Sequence, residues 1–122
     1  MATLREGINL TSFPVGDDEI KQYRFCTIKD GKVFTTKLNE YSDGISLYEY
    51  SKEQTVLLRV IGFAKIVCGE TIADGDFISS DADGCAIKTK ENQLILGKAL
   101  EKGTKGQIIE VALHKFYNKG TA

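Results

Sequence analysis

The sequence predicts an all-β protein: a small β-barrel or β-sandwich of short antiparallel strands, preceded by an extended N-terminal arm. Three observations carry this reading. Valine, isoleucine, threonine, tyrosine and phenylalanine fill the apolar runs, which suits a pleated, half-buried backbone. Twelve glycines break those runs into short pieces while proline occurs once. No stretch keeps apolar residues at i, i+3, i+4 and i+7 over three turns, as an amphipathic helix would. About nine short strands close most economically into a barrel or sandwich, because a flat sheet would leave long unpaired edges.

Taken in order, residues 1–18 contain Gly7, Pro14 and Gly16 and lack a clean alternation, so they are expected to form the arm. Ordering an arm costs about 1–2 kcal/mol per residue in backbone entropy. Leu4, Ile8, Leu10, Phe13 and Val15 therefore need an apolar surface, either on the chain's own barrel or on a neighbour. Residues 19–122 read as a single β domain. Its clearest piece is a hairpin: the β-rich runs 23–28 and 33–38 flank Lys29-Asp30-Gly31-Lys32, where the glycine accepts the positive φ that tight hairpin turns need. Residues 55–61 and 64–67 form a longer apolar stretch, and Gly62 between them marks a bend or bulge where a strand passes from one sheet face to another. Gly69, Gly75 and Gly84 then separate short runs around Ile72, Ile78 and Ile87. The last two strands are expected over 93–96 and 107–113, joined through 97–106. Single helical turns are expected at 17–20, where acidic side chains suit a helix N-terminus, and at 98–102.

Composition bounds the function. A chain of 122 residues with 42% apolar and 27% charged content is an ordinary globular domain. Sixteen basic residues against seventeen acidic ones argue against a dedicated nucleic-acid binder, whose domain would be strongly basic. No apolar run approaches the length of a membrane span, and no apolar segment follows Met1 as in a secretory signal, so a product of the cytosol is expected. Cys26, Cys68 and Cys85 are odd in number, and their spacing fits neither a disulfide framework nor a zinc site. They read as reduced, half-buried thiols. His114 is the single histidine, so a Ser-His-Asp or Cys-His machine would have to run through one ring near the end of a strand.

Residues 69–84 hold five acids and no base, whereas residues 85–122 hold seven lysines against three glutamates. Asp81-Ala82-Asp83-Gly84 invites a calcium reading. Setting Gly84 at the sixth position of an EF-hand loop places Lys90 where a bidentate carboxylate is required, so the match fails. Turn acids bonded to their own backbone explain Asp81 and Asp83. Neither a P-loop nor a G-x-G-x-x-G segment occurs, and Asn9-Leu10-Thr11 is a glycosylation sequon without an export signal. Tyr41, Tyr48 and Tyr50 surround a short apolar run; they fit the core or edge of a strand, and they equally fit a contact patch, where amphipathic rings are enriched.

The order of several short motifs adds a resemblance. Val60-Ile61-Gly62-Phe63-Ala64-Lys65-Ile66-Val67 is followed by Gly69-x-x-Ile72-x-x-Gly75-Asp76-Phe77-Ile78, then Asp81-x-Asp83-Gly84. Leu94-Ile95-Leu96-Gly97-Lys98-Ala99-Leu100 and Gly106-Gln107-Ile108-Ile109-Glu110-Val111-Ala112-Leu113 close the series. Over about residues 55–114 this resembles the small capsid cement, or decoration, proteins of tailed bacteriophages. The resemblance implies a protein of the virion, assembled in the host cytoplasm, that binds the outer face of the head and stabilises the shell of major capsid protein. It implies self-association, as a homotrimer or a dimer, with no cofactor, metal, membrane or direct nucleic-acid contact and no catalysis. Contacts with the capsid or between subunits are then expected from the arm, through Leu4, Arg5, Ile8 and Phe13, and next from Tyr41, Tyr48 and Tyr50. Two rivals belong to other classes. The phrase Gly69-x-x-Ile72-x-x-Gly75-Asp76-x-Ile78 also occurs in hammerhead-type β-barrels that carry a lipoyl or biotinyl lysine, but Lys88 and Lys90 lack the hairpin-tip context those domains need. An enzyme would have to gather Glu70, Asp74 and Asp76 with His114, and nothing in their spacing favours it.

Overall fold

The computed structural model describes residues 7–117, with the backbone alone at 11–12 and 114–117. Eleven strands and no helix occur among these residues: β1 Gly7–Pro14, β2 Glu19–Ile20, β3 Phe25–Lys29, β4 Lys32–Thr35, β5 Gly44–Ser46, β6 Tyr50–Ser51, β7 Thr55–Val67, β8 Phe77–Ser80, β9 Ala86–Lys88, β10 Leu94–Ala99 and β11 Ile108–Tyr117. One antiparallel sheet runs β4-β3-β5-β7-β11-β10-β8-β9, with β1 also on β7, while β2 and β6 form a separate ribbon. The protein is all-β, its sheet curled into a half-barrel, as the sequence predicts.

The thirteen-residue β7 organises everything else. Its first part pairs with β1, from Pro14 opposite Thr55 to Gly7 opposite Gly62, and with β5 through Ile45 opposite Arg59. Its second part pairs with β11, from Ala112 opposite Phe63 to Ile108 opposite Val67. The change of partner falls at Gly62, whose φ of 109° lies in a region L side chains rarely adopt, so the expected bend sits where the sequence places it. Even-numbered β7 residues face inward: Val56 and Leu58 join one core cluster with Val15, Ile20, Cys26 and Val33, while Ala64 and Ile66 join a second with Phe25, Ile72, Ile78 and Val111. Each fully buried isoleucine or leucine contributes about 1.5–3 kcal/mol relative to exposure.

Both ends of the sheet return to the flanks of this spine. Val15, just after β1, forms a parallel bridge with Val33 of β4, and the Gly16 N–H donates to the Val33 carbonyl at 2.7 Å. Cys68, just after β7, bridges Ala86 of β9, and the Gly69 N–H donates to the Ala86 carbonyl at 2.7 Å. Carboxylates cover further edge amides: the Thr35 N–H donates to Asp17 at 3.0 Å and the Lys88 N–H to Glu70 at 2.8 Å. The curl thus hides the edges that a flat sheet would expose.

The hairpin forms as expected. Ile28 faces Val33 and Lys29 faces Lys32, with positive φ at both Asp30 (52°) and Gly31 (73°), the signature of a two-residue type I′ turn. Residues 7–14 of the expected arm are extended and lie along β7, so the apolar surface they use is the chain's own sheet, with Phe13 packed on the first core and Val15 inside it. Two expectations are corrected. Residues 17–20 are not a helical turn, since Ile20 is fully buried and Glu19–Ile20 pairs with β6. Residues 98–102 are not one either: Lys98 and Ala99 finish β10 opposite Ala112 and Val111, and the Leu100 N–H donates to the Glu110 carbonyl at 2.9 Å.

Candidate contact surface

Odd-numbered residues of β7 face away from the two cores, and this outer face is unusually apolar. Ile61 is 58% exposed and Phe63 47%. Ile61 stands directly opposite Ile8, which is half exposed, and beyond Phe63 the pair Val67–Ile108 continues the row with Ile108 also half exposed. Between the two apolar ends, Lys65 and Glu110 stand opposite one another, both exposed. Arg59 shares this face yet is buried. Its Nε donates to Asn9 Oδ1 and its Nη1 to the Phe63 carbonyl, both at 2.6 Å. Such charge-assisted bonds are what make a buried guanidinium tolerable. A shallow pocket of about 260 Å³ opens beside it, bounded by Tyr23, Leu47, Phe63, Lys65 and Glu110.

The expected contact residues are dispersed. Leu4 and Arg5 lie outside the described residues. Ile8 is on the apolar face just described, but Phe13 is turned inward against Val56 and the first core. Tyr48 is 58% exposed and meets Tyr50 edge-to-face, with ring centroids 6.5 Å apart. Tyr50 is half-buried; its hydroxyl accepts the Leu57 N–H at 3.0 Å, and burial raises its pKa. Tyr41 is exposed in the loop between β4 and β5, where its carbonyl accepts a bond from the Thr27 hydroxyl. Tyr50 therefore serves the core, while Tyr41 and Tyr48 present rings to solvent. Ile61, Phe63 and Ile108 were missed. The signal available was that Leu57, Ile61, Phe63 and Val67 make the run 56–67 apolar at four odd positions as well as at the even ones, although a strand covered on one side should alternate.

A second, polar cleft of about 720 Å³ lies between the ends of the sheet, where Asp17, Lys21, Arg24, Asp81, Cys85 and Lys105 converge. Its acids work on the backbone. Asp81 Oδ1 accepts the N–H groups of Asp83 (2.8 Å) and Cys85 (2.9 Å), and Asp17 accepts that of Thr35 (3.0 Å). Among the described residues no group of three or more His, Cys, Asp or Glu side chains is placed to hold a metal ion. The three cysteines are free and buried. Burial pushes the Cys26 thiol up to about 12 and raises those of Cys68 and Cys85. The side chain of His114 lies outside the described set, so the imagined grouping with Glu70, Asp74 and Asp76 has no geometry to report.

Fold and surface together define a small all-β half-barrel built on one long central strand, with an apolar sheet face open to solvent. No family model matches the chain, and no curated protein matches it. Among solved structures it is similar to the head fiber gp8.5 N base of bacteriophage phi29, with a TM-score of 0.74 and 18% identity, covering 88% of this chain and 93% of that one. A likeness at that identity shows the fold.

Proposed function

We propose that the chain is a structural protein of a phage virion that sits on the outside of the head, as a cement or decoration protein binding the shell of major capsid protein. The observation that carries this reading is the fold shared with a head fiber base over nearly the whole of both chains. The motif order over about residues 55–114, which resembles cement proteins, supports it from the sequence side. In this reading the protein self-associates, as a homotrimer or a dimer, and acts by shaped surface without making or breaking covalent bonds. Binding the assembled shell and not its free subunits stabilises the shell by the binding free energy, repeated over many copies. Tyr41, Tyr48 and Ile8 are the expected contact residues that the structure leaves accessible.

The test is co-sedimentation of the purified protein with expanded heads that lack it, prepared from the phage that encodes it. Saturable binding, with added density on the outer surface by electron microscopy, is expected, together with greater resistance of the heads to heat. Heads that remain bare at saturating protein would overturn the proposal. The carrier reading has less support: Lys88 is paired within β9 opposite Ile78, and the Lys90 N–H donates to Gln93 Oε1 at 2.7 Å. An unmodified intact mass after expression in cells removes it.

A further inference from the structure

We infer that the outer face of β1, β7 and β11 is where copies of this chain meet, with Lys65 of one copy set against Glu110 of the next. This deepens the self-association in the proposed function and rests on that part of it, but not on attachment to a head. Exposed apolar side chains scattered singly need no explanation, whereas a contiguous row does. Here Ile8 and Ile61 are cross-strand partners, Phe63 follows two residues along β7, and Ile108 closes the row beyond Lys65 and Glu110. On the outward side of β7, Leu57, Ile61, Phe63 and Val67 are apolar as well, a composition nearer that of a strand covered on both sides, yet Ile61 and Phe63 stand open to solvent.

The charges identify the occupant. The exposed charges in the middle of the row are one lysine and one glutamate, directly opposite in register. A partner of single sign would leave one of them facing a like charge, which is costly in a desolvated contact. A second copy brings one of each, so rotation about a symmetry axis places every ammonium against a carboxylate while the apolar ends pack together. A net charge of −1 imposes little long-range repulsion between copies.

Analytical ultracentrifugation of the purified full chain, without heads, tests this. The wild type is expected to associate, and Phe63→Asp to sediment as a monomer with an unchanged far-ultraviolet spectrum, its dissociation constant raised about thirtyfold or more, as for loss of a central contact residue. Lys65→Glu and Glu110→Lys are each expected to weaken association, and an equimolar mixture of the two to restore it. Only contact between different molecules can set the carboxylate introduced in one variant against the ammonium introduced in the other. A wild type that stays monomeric at the highest soluble concentration, a Phe63→Asp oligomer like the wild type, or a mixture no better than its components overturns the inference. Should Phe63→Asp unfold, the two charge variants, both at exposed positions, decide alone. A monomer that still coats heads overturns this interface and the self-association it rests on but spares the proposed attachment to the head; an oligomer that ignores heads does the reverse.

Discussion

Val15 and Val33 lie side by side in a parallel bridge, both almost fully buried, so the residues that follow β1 complete the wall of the first core. Removing residues 1–16 is therefore expected to destabilise the fold rather than trim a dispensable arm. The point variant Val15→Ala should cost about 2 kcal/mol, from the lost transfer energy of two carbons and the cavity they leave. Urea denaturation would show a lower midpoint with an unchanged slope. A truncated protein with the wild-type midpoint would place β1 outside the cooperative unit.

Gly62 sits where β7 exchanges β1 for β11, at a φ of 109°. Alanine there must either adopt a strained backbone or shift the two registers that meet at this residue. Gly62→Ala is expected to lower stability by about 1–3 kcal/mol, visible as a lower melting temperature. An unchanged melting temperature would mean that the spine accommodates a side chain at its change of partner.

How much the sequence discloses depends on how local the cause is. The hairpin around Asp30 and Gly31 and the bend at Gly62 are legible because a φ requirement acts within two or three residues. The pairing of Glu19–Ile20 with Tyr50–Ser51 is not legible, because two-residue strands have no period of their own and are set by the burial of Ile20. β1 was hidden for another reason: its register shifts between Ile8 and Asn9 and between Leu10 and Phe13 break the alternation by which a strand is recognised. Ile61 and Phe63 were visible as apolar residues but not as surface, since which face of β7 meets water is decided by β5, β10 and β11 from elsewhere in the chain.

Asp81 holds its loop by accepting two backbone N–H groups on one carboxylate oxygen. Asp81→Ala should cost about 1–2 kcal/mol, because the Cys85 amide is left without its acceptor in a half-buried site, and Asp81→Asn, which keeps an acceptor oxygen, should cost less. Millimolar calcium is expected to leave the wild-type melting temperature unchanged, since this carboxylate is already committed to the backbone. A calcium-dependent rise would show that the loop binds the ion in preference to its own amides.

Cys26 is wholly buried, and burial holds its pKa at about 12 against an ordinary thiol value of 9.0. Its thiol is therefore expected to resist aromatic disulfide reagents in the native protein at neutral pH and to react once urea unfolds the chain. The same shift links stability to alkali. Below the unfolded pKa both states hold the proton and pH has no effect through this group. Between about 9 and 12 the unfolded chain releases the proton and the folded one keeps it, so the unfolded state is favoured by up to about 1.4 kcal/mol for each unit of rising pH. Cys68 and Cys85, also raised by burial, add to the same slope in the same direction. Urea midpoints measured from neutral pH upward should hold steady and then fall above pH 9, and Cys26→Ala, though less stable at neutral pH, should fall less steeply. Equal alkaline slopes for variant and wild type would mean that Cys26 is reached by solvent in the folded state and contributes no linkage.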